Sequence, residues 1–323
     1  MHDSTRAFFD MFPPEKRNDF FGGYLYLKYI NQFASIACRN INLPYKEFGH
    51  PQLGEIEDGI REMLEAYTQE ITEASTGGAE TDIYHAKVVP YLDALKLVTQ
   101  KEDINLTLPE QVVPWKVARD VILQNPESLA VGPCGCRLNS DSPCVPYPME
   151  VCLMVGDPTA QFIADLNSGF RKITPDEAMQ VLEESHKRGE VHTAYFKREI
   201  GNRFFAICNC CSCCCMGVKM WNLIGGLPGA RAVGDLCFLV PSGYVAEITD
   251  DCSGCGTCAE ACNFEAITMD EENQRAIVEL EKCMGCGGCQ GVCPEDAINL
   301  RRDPSKGEPL DLDVLKAELK SIA

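Results

Sequence analysis

Two stretches near the C-terminal end decide the fold: CSGCGTCAEAC at residues 252–262 and CMGCGGCQGVCP at residues 283–294. Each of the four cysteines in the first stretch recurs 31 residues later in the second. The register continues past the cysteines, because Glu265-Ala266-Ile267 aligns with Asp296-Ala297-Ile298. Residues 243–302 are therefore predicted to form one duplicated, pseudo-symmetric module.

This spacing resembles that of the bacterial two-cluster ferredoxins, whose run is C-x2-C-x2-C-x3-C-P and whose fourth Cys binds the other cluster. The resemblance implies two [4Fe–4S] clusters with crossed ligands. Cluster I would be held by Cys252, Cys255, Cys258 and Cys293, and cluster II by Cys283, Cys286, Cys289 and Cys262. The first run departs from the pattern at Asn263, where the second has Pro294. The alternative for these cysteines is a pair of four-thiolate zinc sites.

Ten of the cysteines upstream form two groups. The first group is Cys134, Cys136, Cys144 and Cys152, and the second is Cys208, Cys210, Cys211, Cys213, Cys214 and Cys215. Two apolar strands, Ser128–Val131 and Phe204–Ile207, each lead into a Cys-x-Cys, so parallel neighbours would bring both pairs to one sheet edge. Thiolates favour soft metals, and at least one further iron–sulfur centre is expected. Zinc is the alternative for the first group and a reactive thiol or persulfide for the second.

Adjacent cysteines rarely point at one metal, since their Cβ directions diverge. The second group therefore predicts either two different sites or one polynuclear cluster.

The order of motifs over about residues 109–300 resembles that of a group of ferredoxin-annotated proteins from anaerobes. The order is CGCR, two later cysteines, a helix, Val191-His192, CNCCSCCC and a two-cluster ferredoxin. That resemblance implies iron–sulfur redox work without naming a substrate.

Two other residues are candidates for a supporting role beside the upstream metal site. His192 could donate to a cluster sulfur, bind metal or relay a proton, and the alternative is an ordinary buried His. Arg137 follows Cys136 and could neutralise cluster charge; an ordinary surface Arg is the alternative. The stretch at 225–229 has neither G-x-G-x-x-G nor a Walker Lys, so no flavin or NAD motif is present.

The fold class predicted from these patterns is α+β. Helical periodicity covers Tyr24–Arg39, Leu53–Ala74, Pro114–Gln124 and a segment beginning at the capping box Thr174-Pro175-Asp176-Glu177. Short strands are predicted at Tyr244–Ile248, Ile267–Met269 and Ala276–Glu279, and a closing helix at Asp311–Ile322. The expected organisation is a helical region (1–110), a cysteine-rich mixed α/β domain (111–242), a pseudo-symmetric bacterial ferredoxin fold (243–302) and a helical tail (303–323).

Charge and composition limit the function classes. The net charge of −19 argues against a nucleic-acid partner and favours a redox partner with a basic docking face. No apolar run is long enough for a membrane span. The N-terminal residues lack a signal peptide, and twenty cysteines fit a reducing cytoplasm, so a cytoplasmic, oxygen-sensitive protein of an anaerobe is expected.

Three functions agree with these observations. The first is a multi-cluster iron–sulfur electron-transfer protein or subunit of an anaerobic redox pathway. The second is an oxidoreductase with a catalytic cluster in the cysteine-rich domain, fed by the ferredoxin domain. The third is a ferredoxin with a zinc-structured docking domain. The sequence names neither a substrate nor the direction of electron flow.

Overall fold

The computed structural model describes residues 2–30, 85–115, 119–140, 143, 149–167, 169–225 and 239–322. The α-helices of this part are α1 (Asp3–Asp10), α2 (Arg17–Lys28), α3 (Tyr91–Val98), α4 (Gly135–Asn139), α5 (Thr159–Leu166), α6 (Pro175–Lys187), α7 (Met216–Gly225), α8 (Thr257–Glu260), α9 (Gly288–Gly291) and α10 (Leu312–Ile322). The strands are β1 (His85–Val88), β2 (Ile104–Thr107), β3 (Asp120–Pro133), β4 (Glu150–Asp157), β5 (Arg171–Ile173), β6 (Val191–Lys197), β7 (Arg203–Cys210), β8 (Leu239–Val240), β9 (Tyr244–Ile248), β10 (Ile267–Asp270), β11 (Arg275–Val278) and β12 (Ile298–Arg302). Mixed helix and strand content agrees with the predicted α+β class.

One mixed sheet of eight strands organises the N-terminal and central part. Its order is β2-β3-β4-β7-β6-β1-β8, and β5 pairs with residues 129–131 of β3. Most pairs are antiparallel, but β1 and β8 are parallel. The strands β3 and β7 also meet in parallel where they begin, at Asp120 and Arg203. Both strands therefore run towards the same edge of the sheet, where the cysteines follow.

Helices cover both faces of the sheet, because successive residues of its strands place apolar side chains on one face and then on the other. Leu153 and Val155 of β4 pack on the face that α3 and α6 cover, and Cys152 and Met154 pack on the face that α1, α2 and α5 cover. This alternation follows from the two-residue period of a strand.

The capping box predicted for α6 is confirmed. The Glu177 N–H donates to the Thr174 hydroxyl, and the Thr174 N–H donates to the Glu177 carboxylate, both at 3.2 Å. The helix ends before Gly189, whose φ of +75° lies in the left-handed region. Gly189 accordingly turns the chain directly into β6, and this turn positions Glu190 and His192.

Two sequence predictions upstream are wrong. The helix predicted at Pro114–Gln124 is wrong for residues 120–124, which form the start of β3, because Val121 and Leu123 are buried at a two-residue interval while they pair with β2. The helical region predicted for 1–110 also contains β1 and β2, which belong to the central sheet. The helix predicted at Leu53–Ala74, and most of the one at Tyr24–Arg39, lie outside the described residues.

The duplication in the sequence is present in the backbone of the C-terminal module. The first half consists of β9, α8 and β10, and the second half of β11, α9 and β12, which lie 31 residues further along. The outer strands β9 and β12 pair antiparallel, as do β10 and β11. The closing helix α10 packs on α3, as its apolar spacing indicated. Among the described residues, none of the helices has the length and apolar character that crossing a membrane requires.

Candidate metal centres

The cysteine loops of the C-terminal module share one backbone conformation. Gly254 and Gly285, 31 residues apart, both have positive φ, at +72° and +63°. A Cβ at either glycine would overlap a backbone carbonyl oxygen, that of Gln274 or that of Tyr244. Glycine is therefore required at both positions, and each loop can fold tightly around a metal group.

Two pockets gather the eight cysteines of this module into sets of four. One pocket is lined by Cys252, Cys255, Cys258 and Cys293. The other is lined by Cys262, Cys283, Cys286 and Cys289. Each pocket thus takes three thiols from one half and the fourth from the other half, which is the grouping that the ferredoxin resemblance implied.

Backbone amides already point at several of these sulfurs. The Ala266 N–H donates to Cys262 Sγ and the Ala297 N–H donates to Cys293 Sγ, both at 3.3 Å. Hydrogen bonds of this kind stabilise charged sulfur ligands and tune cluster potentials. The thiol donors, the glycine loops and the amide donors together fit a [4Fe–4S] cluster in each pocket.

The two pockets differ in exposure. Cys255 of the first pocket is exposed, and the hydroxyl of Thr257 lowers the pKa of its thiol through a hydrogen bond. In the second pocket, burial raises the pKa of Cys286 to about 12 and raises the pKa of Cys289 as well. The first pocket is therefore the outer one, and a metal entering the second must displace protons from buried thiols.

Upstream, one cavity at the predicted sheet edge is lined by four cysteines from both groups: Cys134, Cys136, Cys152 and Cys208. Cys134 and Cys136 follow β3, while Cys152 of β4 lies opposite Cys208 of β7 in the sheet register. The rest of the lining of this cavity is mainly apolar, with Tyr26, Met154, Tyr195 and Phe205. Cys144, which the sequence grouped with these residues, lies outside the described residues.

Two more thiols, Cys210 and Cys215, adjoin the cysteines of this cavity. Cys136 hydrogen-bonds to Cys215, and Cys215 to Cys210, while Cys208 hydrogen-bonds to Cys152. The hydrogen bond to Cys152 and burial raise the pKa of Cys208. The hydrogen bond to Cys136 acts to lower the pKa of Cys215, but the hydrogen bond to Cys210 and burial outweigh it and raise this pKa. A bound cation would favour the thiolate forms of Cys208 and Cys215.

Cys211, Cys213 and Cys214 form a separate trio. Cys213 Sγ lies 3.4 Å from Cys211 Sγ and 3.5 Å from Cys214 Sγ. All three sulfurs lie within 4.8 Å of one another. The sulfurs of the adjacent Cys213 and Cys214 thus lie close together in the turn after β7.

Arg137 is fully buried and lies near both upstream sets. Its guanidinium forms an ion pair with Glu190 at 2.7 Å and donates to the Asn209 carbonyl oxygen at 3.3 Å. The charges of Glu190, Cys134 and Cys211 raise its pKa further above the ordinary value, against the effect of burial. The surface alternative for Arg137 is therefore wrong, and a fixed positive charge lies close to the thiols.

His192 belongs to the other face of the sheet. Its ring Nδ1 lies 2.6 Å from the Oδ1 of Asn209, and it packs near Tyr91 and His186. Burial lowers its pKa to about 4, so the ring is neutral. Because Asn209 lies between Cys208 and Cys210 on β7, the His192 side chain points away from both cysteines. The ordinary buried His is the interpretation that this geometry favours.

Two residues beside the metal centres, Asn263 and Tyr195, were not predicted from the sequence. Asn263 is buried, accepts the Ser212 N–H at its Oδ1 at 2.7 Å, and donates to the Gly189 carbonyl oxygen at 2.8 Å. The departure from Pro at this position was the available signal. Tyr195 lines the upstream cavity, and burial and nearby cysteines raise its pKa. No sequence motif marked it.

The comparisons with known proteins concern the C-terminal module. Residues 246–300 match the family model described as "4Fe-4S dicluster domain". No curated protein matches the chain. An iron–sulfur electron-transfer role is therefore supported, and residues 246–300 of this chain are a 4Fe–4S dicluster domain.

Proposed function

We propose that this chain is an electron-transfer protein in which the dicluster domain connects an external redox partner to a metal centre in the cysteine-rich domain. The observation that carries this proposal is the division of the eight C-terminal cysteines into two four-thiol pockets. A [4Fe–4S] cluster in each would supply one-electron transfer at a potential set by the surrounding amides and burial. This arrangement also supports a bacterial ferredoxin fold for residues 243–302.

The contacts of the two pockets suggest an order for the centres. The second pocket, which is the inner one, includes Cys262. The next residue, Asn263, accepts a hydrogen bond from the Ser212 N–H of the cysteine-rich domain. The module also packs closely on the cysteine-rich domain at α9, because a Cβ on Gly288 would overlap the carbonyl oxygen of Gly189. The outer pocket lies beyond it, where Cys255 is exposed. A partner would therefore exchange electrons at the outer pocket.

The surface around the outer pocket is acidic. Asp250 and Asp251 precede Cys252 and are exposed, and Glu295 lines the pocket rim. Together with the net charge of −19, these carboxylates favour a partner with a basic docking face. The high thiol content fits the reducing cytoplasm of an anaerobe as the working compartment.

The upstream end of the path is proposed to be an iron–sulfur centre in the cavity lined by Cys134, Cys136, Cys152 and Cys208. Four thiols line the space, and the rest of the lining is mainly apolar. The buried Arg137, near Cys134, would offset part of the charge of thiolate ligands.

A second candidate function is a reductase whose chemistry takes place beside this upstream centre. The observation that favours it is the cavity itself, which has Tyr195, a neutral phenol, among its walls. A neutral phenol beside a reduced centre could donate a proton to a bound molecule. Ligand-induced changes in the spectrum of the upstream centre alone would support this second function, and full ligation with no such change would exclude it.

Iron counts in paired variants test the crossed ligand sets. Cys262→Ala and Cys283→Ala should each remove about four of the eight irons of the module, and the double variant should lose no more, because both residues serve one cluster. The matched double variant Cys262→Ala with Cys252→Ala should lose about eight irons. The opposite pattern of the two doubles would refute the crossed assignment.

The upstream centre is tested in the full chain by Cys208→Ala. This variant should lose the roughly four irons of the upstream centre and keep the roughly eight irons of the module. The control Cys255→Ala should lose iron from the module only. Equal iron content in wild type and Cys208→Ala would remove the upstream cluster from the proposal.

A further inference from the structure

The thiols of Cys210 and Cys215 lie beside the upstream cavity, outside its lining. Cys210 is the last residue of β7, and Cys215 directly precedes α7. The two residues therefore stand at the two ends of one tight turn, in which the Cys215 N–H donates to the Cys211 carbonyl oxygen at 2.9 Å. Their thiols hydrogen-bond to one another across this turn.

Apolar side chains enclose both thiols. Cys210 is 5% exposed and Cys215 is 4% exposed, and the hydrophobic cluster around them includes Val88, Val218 and Leu239. A second protein cannot reach thiols that are buried in this way, so the reaction open to them is with each other. A disulfide requires the two sulfurs to approach to about 2.0 Å, and here that approach starts from hydrogen-bond contact.

The pair is in contact with the proposed upstream centre. Cys136, one of the four thiols that line the cavity, hydrogen-bonds to Cys215. A cluster bound to Cys136 would therefore reach Cys215 through one sulfur contact. Since a [4Fe–4S] cluster takes four thiolate ligands and the cavity already supplies four, Cys210 and Cys215 are not needed as ligands.

We propose that Cys210 and Cys215 are a redox-active dithiol that stores an electron pair beside the upstream centre. This inference rests on the proposed function, because the electrons reach the pair from the dicluster domain through that centre. Reduction of the Cys210–Cys215 disulfide breaks the S–S bond, consumes two electrons and two protons, and yields two thiols. Each cluster of the dicluster domain supplies one electron, so one fully reduced domain converts one disulfide to the dithiol.

Each sulfur of the pair has a polar group beside it that suits this step. The Val218 N–H donates to Cys215 Sγ at the start of α7, where the N-terminus of a helix stabilises negative charge. Cys215 is therefore the sulfur that carries the charge when the S–S bond opens. The Thr193 hydroxyl lies 3.5 Å from Cys210 Sγ and can exchange a hydrogen bond with it.

Protons can reach the pair from the cavity. A Cβ on Gly217 would lie 3.5 Å from the Tyr195 hydroxyl oxygen and 3.8 Å from Cys215 Sγ, so the phenol and the thiol both flank Gly217. Tyr195 also lines the cavity and can relay a proton from it towards Cys215. The dithiol thus holds two electrons and two protons next to the cavity, which suits a molecule that accepts both together.

An anaerobic reductive titration of the oxidised full chain tests the pair. Wild type should take up about two electrons more than Cys210→Ser or Cys215→Ser, because one disulfide accepts two electrons. Both variants should keep all of the iron of wild type. The matched control is Cys211→Ser in the same turn, which should take up as many electrons as wild type.

Alkylation of wild type, followed by mass spectrometry, locates the disulfide without any variant. After oxidation with diamide and an acid quench, Cys210 and Cys215 should resist alkylation together, and dithionite should make both reactive again. The Cys208→Ala variant, which lacks the upstream centre, should recover this reactivity more slowly than wild type. That delay would show that the electrons arrive through the centre.

Three results would overturn the inference. One is equal electron uptake by wild type and Cys210→Ser. Another is the loss of about four irons from Cys210→Ser, because this residue would then be a cluster ligand. The third is complete alkylation of Cys210 in oxidised wild type. Absence of upstream iron from wild type would refute the proposed function, whereas full iron content without the extra electron uptake would refute only the dithiol.

Discussion

Replacing Asn263 with alanine should loosen the junction between the two domains without removing a cysteine. The variant deletes the acceptor of the Ser212 N–H at 2.7 Å and the donor to the Gly189 carbonyl oxygen at 2.8 Å. A hydrogen bond contributes about 1 kcal/mol net, and a buried group left without a partner costs about 1–3 kcal/mol. Because Ser212 is exposed and its amide can bind water, we expect a total of about 2–4 kcal/mol.

Native-state hydrogen exchange measures this effect on the loaded protein. At 1.4 kcal/mol for each factor of ten, the Ser212 amide should exchange about 30- to 700-fold faster in Asn263→Ala than in wild type. The matched control is Asn273→Ala, which removes an exposed bond to Asp270 in the β10–β11 turn and should leave exchange at Ser212 unchanged. Equal exchange at Ser212 in wild type and Asn263→Ala would refute the reasoning.

Three further predictions concern buried groups, each followed by anaerobic unfolding. Glu190→Gln leaves the buried Arg137 guanidinium without its carboxylate and should cost about 3–5 kcal/mol, so an unchanged unfolding midpoint would contradict the buried ion pair. Gly291→Ala places a Cβ against the carbonyl oxygen of His186 and should cost about 1–3 kcal/mol, and a neutral result would mean that α9 does not pack on α6. His192 has a folded-state pKa of about 4, below its ordinary 6.5, so the unfolded state binds the extra proton and wild type should lose about 2 kcal/mol of stability from pH 7 to pH 5. The His192→Gln variant should lack this part of the loss, and identical pH profiles would count against a neutral buried His192.

The sequence predicted those elements whose signals are local. The capping box at Thr174 and the glycine that follows α6 act through neighbouring backbone groups, so their pattern can be read from the chain alone. The start of β3 could not be predicted in this way. Val121 and Ile122 fit one face of a helix as well as a strand, and pairing with β2 selects the strand.

In the candidate sites too, features that depend on neighbouring residues could be predicted, and features that depend on residues distant in sequence could not. The resemblance to the bacterial two-cluster ferredoxins implied the sets of the C-terminal cysteines, and the loops that carry this resemblance are short and repeated. The upstream grouping depends on the opposition of Cys152 and Cys208 across two strands, which is a matter of sheet register. The burial of Arg137 likewise depends on Glu190, which is distant in sequence and carries no motif.

The exchange of one cysteine between the halves of the dicluster domain has a consequence for its ancestry and its repair. A lone half, such as residues 244–270, would hold three thiols of one pocket and one thiol of the other. Two copies of such a peptide, related by a two-fold axis, would complete both pockets, so a symmetric dimer of halves would supply every ligand of the fused domain. Once the copies are joined, damage to either fourth cysteine removes a ligand from the neighbouring half, and neither half can be replaced independently of the other.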